Sequence, residues 1–592
     1  MLKILQKSIP LVLFIAFAAY ILLGFYQDML FTLHMRTPFI GGSLFFGELM
    51  SEPFGLMRWI GCWLTQLCYY PVLGFVVYVL IWSSAYFFAE KTFRLPALYS
   101  SLLIIPLACL LLGIVDLGYW IYCMKSFGDL YAQSVAFLLM TILLYALCLM
   151  KTRYSAIIAA VVCFFVFPFI GWYSILLALC YFLINIRTFG WSSLYILLPV
   201  LAPGLWHSIC YQSIPMTNMW YGGFPVFIDA EIYTLRLSAP YFVLVAFLVL
   251  FSSSVLTEKE EKIGTTAKKV WIKYGILTAV VSAVSYVGVW QKMFKDYNYL
   301  AEMRMLKCAM NEDWTGVLQE AQKQQTPSHS MVLLKNLALT NTGGLGEYGF
   351  KFTSNGIEIK NPDGLNIGPI QIVGPTVYAN YGRINYATRW SHEFAVCYGY
   401  SPYYLMHLAR TAKTKGEKAV ESKYLSLLHS HKYYEDWMPA TYSPLAKGIE
   451  MSYGNVIDSD NNNMEYFLMD TFSQSYGSDN TTVLELSLFN AMLIRDPERF
   501  WNAFVSYAQT IQGTVLPQHY QEAYFLFMEA APVELPIQVS VSSGMAEAYT
   551  SFRRQYDSLI QMGYSRDKME KTLQVKWGGS YWWYYFFAKQ MI

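Results

Sequence analysis

Charge is what this sequence has least of. Asp, Glu, Lys and Arg make up 14% of its 592 residues, while 55% are hydrophobic and 17% aromatic; a soluble domain carries about 25% charge. That shortage excludes a chain that is water-soluble throughout, because so many apolar residues need lipid as well as a protein interior. A basic excess is missing too. The formal charge is only +2, so the chain lacks the Lys and Arg footprint that neutralises phosphate backbones, and nucleic acid is set aside as a partner. Cysteine motifs are also scarce. Eight of the ten cysteines fall before residue 290 in apolar surroundings, where Cys behaves as a small hydrophobe; only Cys308 and Cys397 lie beyond, without CxxC spacing. A zinc site is therefore not expected, and a disulfide between those two stays undecided.

What is present is divided unequally. Residues 1–290 hold 16 Lys or Arg and 11 Asp or Glu, whereas residues 291–592 hold 26 and 29. The first part reads as lipid-embedded and the second as a slightly acidic soluble domain. A bilayer core needs about 20 apolar residues per helix, and nine runs approach that length: 9–25, 72–89, 97–115, 130–150, 154–170, 174–186, 192–210, 237–256 and 274–290. The fifth and sixth share a stretch interrupted by Phe167-Pro168 and Gly171-Trp172, open to reading as two short helices or one broken one.

Two crossings there keep the charges in order. With the N-terminus in the cytoplasm, twelve Lys and Arg of the short loops fall inside and only Arg36, Arg58, Lys125 and Arg236 outside, as the positive-inside rule expects. An odd number of crossings then puts residues 291–592 on the far side. Lys3 and Lys7 before the first run imitate a signal peptide, but Tyr26-Gln27-Asp28 is a poor cleavage site, so that run reads as a retained anchor.

The expected fold class is all-α: a polytopic bundle of about nine spans (1–290), then an extracytoplasmic helical domain (291–592). In the second part apolar residues recur at helical spacing, predicting helices over 296–311, 314–325, 330–342, 404–414, 419–428, 482–494, 497–510, 518–530, 543–562 and 566–575. Leu408, Ala409, Gly416, Ala419 and Tyr424 are spaced as in a tetratricopeptide pair, without a strict repeat along the domain. The segment 352–374, with Ile357, Ile359, Ile370 and Ile372, predicts a small hairpin or ordered loop. Asp458 to Asn463 lacks the Gly and Glu of an EF-hand loop and reads as a polar turn. The aromatic end, with Trp582, Trp583, Tyr584 and Tyr585, is too aromatic for a loose tail and predicts a strand or helix docked on the domain, the alternative being contact with the membrane interface.

Pro53, Gly55, Leu56, Leu64-Thr65-Gln66, the stretch 70–74, the Asn336-Leu337-Ala338-Leu339 helix and the closing Tyr581 to Tyr585 resemble a bacterial domain-of-unknown-function family of multi-span proteins with a helical-repeat tail. Phe54 stands where a second glycine is expected. The resemblance covers nearly the whole chain and implies the inner membrane of a two-membrane bacterium, with the second part periplasmic; it implies no activity.

Seven acids lie in the outward loops: Asp28, Glu48, Glu52, Asp116, Asp129, Asp229 and Glu231. Asp28 and Asp116 directly follow the first and third spans, a layout that resembles the GT-C class of membrane glycosyltransferases. That resemblance implies Asp28, Asp116 and Glu52 as catalytic acids, orienting an acceptor or holding a divalent metal while a sugar leaves a lipid-phosphate carrier. The plain alternative is that acids collect at outward span ends because water is there. Arg36, Arg58 and Arg236 are expected to contact lipid headgroups, and His34 and His207 to serve as structural donors. Charges deep in the spans are nearly absent, which speaks against an ion-coupled transporter. The leading expectation is an envelope scaffold that offers its helical domain to a protein or peptide partner, with membrane lipid around its spans.

Overall fold

A computed structural model gives the fold and describes residues 2–123, 128–150, 154–189, 195, 197–229, 232–254, 267–359, 363–364, 367–442 and 463–588. The chain enters as Leu2–Ala19, widens into a π-helical turn at Tyr20–Phe25 and continues as Gln27–Arg36. Among the described residues, five helices are long and apolar enough to cross a membrane: Gln6–Phe25, Pro71–Phe93, Ala97–Val115, Leu130–Leu149 and Trp271–Lys292. Shorter apolar helices fill the sequence between the last two, at Ser155–Ile170, Trp172–Phe189, Leu197–Ile209 and Ala239–Ser254. Along Trp271–Lys292 the exposed large hydrophobic residues are Ile272, Ile276, Val280, Val284, Val287 and Trp290, which share one helical face turned outward. A soluble helix would bury such a stripe.

The break between the two short helices is settled by Gly171. Its φ of +54° and ψ of −132° end Ser155–Ile170, and the chain folds back as a helical pair. A side chain there would put its Cβ 1.7 Å from the carbonyl oxygen of Gly222, whose oxygen accepts from Trp172 N at 2.9 Å.

In the second part helices pack mainly on their neighbours in sequence. Their starts follow from capping chemistry. Asp296, Asp313, Ser328, Asn463, Asp496 and Ser580 each accept a backbone N–H from the first turn they precede. Asn463, the last residue of the polar turn, thus opens Met464–Ser473; residues 458–462 lie outside the described residues. The aromatic end forms the helix Tyr581–Phe587, with Trp582 only 1% exposed and its indole donating to Glu522 O at 2.8 Å. One apolar core runs from Phe14 to Ala588 through both parts.

Two expectations need correction. Ile370 and Ile372 are helical, within Pro369–Asn380: Pro369 takes the first turn, Gln371 accepts from Gly368 N at 3.0 Å, and Ile370, Val373 and Val377 share a helical face as readily as alternating ones share a strand. Among the described residues of that segment only Ile357 pairs, in an isolated bridge with Ser328. Among the described residues the hairpin lies instead in the first part, Phe227–Asp229 against Ile232–Thr234. The second correction concerns the arginines. Arg36 is 4% exposed and Arg236 is ion-paired within the protein, so neither is a free headgroup contact.

Candidate functional site

Three of the loop acids, Asp28, Glu52 and Asp116, are each paired with a guanidinium. Asp116, the residue that ends the Ala97–Val115 span, binds Arg236. Arg236 in turn donates through Nη2 to Asp363 Oδ2 at 2.8 Å, a residue of the second part that also accepts from Trp120 Nε1 (3.1 Å) and Thr234 Oγ1 (3.0 Å). Burial pushes the Asp116 carboxyl up to about 6 against the pull of Arg236. Burial acts the same way on Asp363, but its donors win and hold it below the usual carboxylate range. Asp28 pairs with Arg304 at 3.3 Å, and Arg304 also holds Glu320 at 2.9 Å. Glu52 pairs with Arg58 at 2.6 Å on the surface. Asp28 and Asp116 therefore belong to different ion pairs. Among the described residues, no three His, Cys, Asp or Glu side chains stand together as a metal would require. Glu231 and the side chains of Asp129 and Asp229 lie outside the described set.

Around these pairs the two parts are locked by groups that composition could not reveal. The guanidinium of Arg36 donates to Tyr404 Oη (2.8 Å) and Ile372 O (2.9 Å) and lies 3.9 Å from the Tyr403 ring centre. His34 stacks on Tyr434 and bonds its hydroxyl at 3.2 Å; burial holds its imidazole down to about 3, so it acts as a neutral structural group. His207 also acts structurally, with Nε2 3.0 Å from Ile214 O. Glu302 is fully buried, accepting from Tyr119 at 2.8 Å and from the Ser328 hydroxyl. Burial raises its carboxyl to about 7.

Ser328 leads to an open feature. It caps His329–Thr342, and at the head of that helix a cleft of about 190 Å³ is lined by His329, Ser330, Glu358 and Glu465 with Ile357, Ile359 and Ile367. His329 Nδ1 lies 2.9 Å from Glu465 Oε1, a contact that raises the imidazole pKa over the opposing effect of burial. The extended strip carrying Ile357 and Glu358 crosses the helix head because residue 356 is glycine: a Cβ there would fall 2.6 Å from His329 Nδ1. Ile357 N donates to Pro327 O at 2.9 Å. Past Glu465 the wall continues into an apolar crevice of about 30 Å³ beside Leu468 and Phe472, room for about one water.

A family profile matches residues 1–588, almost the entire chain: "Family of unknown function (DUF6057)". The chain belongs to this family. The match agrees with the expected family of unknown function, and membership supplies no reaction, so the geometry above has to carry the functional argument. No curated protein and no solved structure matches the chain. The isoleucines Ile357 and Ile359 of this cleft stand out in the sequence, whereas its polar residues His329, Ser330, Glu358 and Glu465 do not. The signals were present in Ser328 as a cap and in Glu358 between two isoleucines, but Glu465 lies 136 positions from His329.

Proposed function

We propose that this family member is a membrane-anchored scaffold, held by about nine spans in the inner membrane of a two-membrane bacterium, that presents its periplasmic helical part to a protein or peptide partner. The observation that carries the reading is the Asp116–Arg236–Asp363 junction. It spends an outward acid on joining the two parts, as Asp28–Arg304 does, and so fixes the second part rigidly against the spans while its cleft stays open. The exposed apolar stripe of Trp271–Lys292 and the exposed Tyr70, Trp220 and Trp290 near helix ends support lipid contact and an interfacial aromatic belt.

The test is site-specific photocrosslinking in intact cells from exposed positions of the second part, such as Tyr466, Val515 and Val575. A discrete adduct with one partner is expected. A chain that crosslinks only to itself or to lipid from every position overturns the reading.

Sugar transfer from a lipid-phosphate carrier is the second reading, supported by Asp28 and Asp116 directly following helices long enough to span. It requires Arg304 and Arg236 to release their acids, leaving Asp28, Asp116 and Glu52 to orient an acceptor or a divalent metal. Asp28→Asn and Asp116→Asn variants that fold but no longer turn over a lipid-linked sugar would favour it over the scaffold.

A further inference from the structure

Within the scaffold reading, we propose that the cleft at the head of His329–Thr342 takes one basic side chain, lysine or arginine, from the polypeptide partner.

Size is the first argument. A cleft of about 190 Å³ is below the roughly 300–1,000 Å³ of sites for free small molecules, yet it has space for about six waters at about 30 Å³ each. It fits a single long side chain reaching in from a surface. Charge is the second. Among the described lining residues two carboxylates, Glu358 and Glu465, face one imidazole, so within that set His329 balances only one of them. Residues 291–592 as a whole are also acidic, with 29 Asp or Glu against 26 Lys or Arg.

The third argument is hydrogen-bond capacity. Ser330 lines the cleft; it is fully buried and its hydroxyl has no partner. A serine in the body of a helix turns its hydroxyl back to the carbonyl four residues earlier. At the second helical position that carbonyl belongs to Thr326, ahead of the helix, and it accepts from Asn298 Nδ2 instead. The cleft is thus rich in acceptors: two carboxylates and an idle hydroxyl. An ammonium brings three donors and a guanidinium five, with no acceptor. Finally, Ile357, Ile359 and Ile367 give apolar walls for the methylene stem that joins such a head to its backbone. A bare metal ion would waste those walls, and among the described residues no metal-binding cluster forms here.

The experiment uses the full chain in lipid nanodiscs and three labelled heptapeptides that differ only at the central residue: lysine, norleucine or glutamate. Saturable binding of the lysine peptide is expected, weaker by about ten-fold or more for norleucine and absent for glutamate. Glu358 is exposed, so Glu358→Gln leaves the fold intact and is expected to weaken the lysine peptide; Glu358→Gln with Glu465→Gln should abolish binding. Ile359→Lys supplies a competing ammonium from the protein itself and should block the peptide in a chain with both acids in place. Equal binding of lysine and norleucine peptides, or undiminished binding to the double variant, overturns the proposal. The two readings fail separately: partner crosslinks that persist in the double variant remove the cleft and leave the scaffold, whereas lysine-peptide binding without any partner crosslink removes the scaffold alone.

Discussion

At the scale of single residues, the buried polar groups carry the sharpest consequences. Arg36 is held by a phenol, backbone carbonyls and an aromatic face, a planar arrangement that an ammonium on a flexible stem cannot reproduce. Arg36→Lys is expected to destabilise the folded chain by about 2–4 kcal/mol, read as a lower unfolding midpoint of the detergent-solubilised protein; an unchanged midpoint would show that the site is wetter than its burial suggests. Glu302 supplies a pH test. Burial lifts its carboxyl from 4.5 to about 7, so between those values the folded protein keeps a proton that the unfolded chain has lost, and stability falls as pH rises through that window. Glu302→Gln keeps an acceptor for Tyr119 or Ser328 and cannot ionise. It should gain on the wild type from about pH 5 to 7, by at most about 1.4 kcal/mol per unit, and parallel stability curves for the two proteins would contradict this.

At the scale of elements, sequence and structure agree where the signal is local. Pro497–Thr510 and Gln518–Ala530 carry the boundaries that Pro497 and the apolar spacing predict, and the docked aromatic end is the helix Tyr581–Phe587. Local signals fail where two periods coincide, as at Ile370 and Ile372, and where helical spacing is hidden among aromatics. Ile384–Tyr398 was not predicted, although Ile384, Ala387, Ser391, Phe394 and Ala395 form its buried face. The turn at Gly171 gives the clearest test at this scale. Gly171→Ala must place a Cβ against Gly222 O in a left-handed conformation, with an expected loss of about 3 kcal/mol or more, while Gly275→Ala, with open space around it, should be neutral or slightly stabilising in the same thermal assay. Similar losses for both would mean that the helical pair is not fixed at Gly171.

At the scale of the whole molecule, the joint between the two parts was beyond reach of sequence reasoning because its partners are far apart along the chain: 127 positions between Arg236 and Asp363, and 368 between Arg36 and Tyr404. Composition revealed which part is apolar and the charges suggested an orientation, but spacing carries no information about which loop acid meets which arginine. Orientation is therefore the property to test on the intact protein, and a native thiol makes it possible. Cys210 and Cys397 are the exposed cysteines, and Cys397 lies in the second part, on Ile384–Tyr398. In a Cys210→Ser chain, a membrane-impermeant maleimide should label Cys397 in intact spheroplasts as fully as after lysis, because an odd number of crossings from a cytoplasmic N-terminus leaves that helix outside. Both the five long apolar helices alone and the nine-span arrangement give that parity, so labelling that begins only on lysis would reject the cytoplasmic N-terminus or an odd span count. It would also remove the periplasmic partner on which the scaffold reading depends.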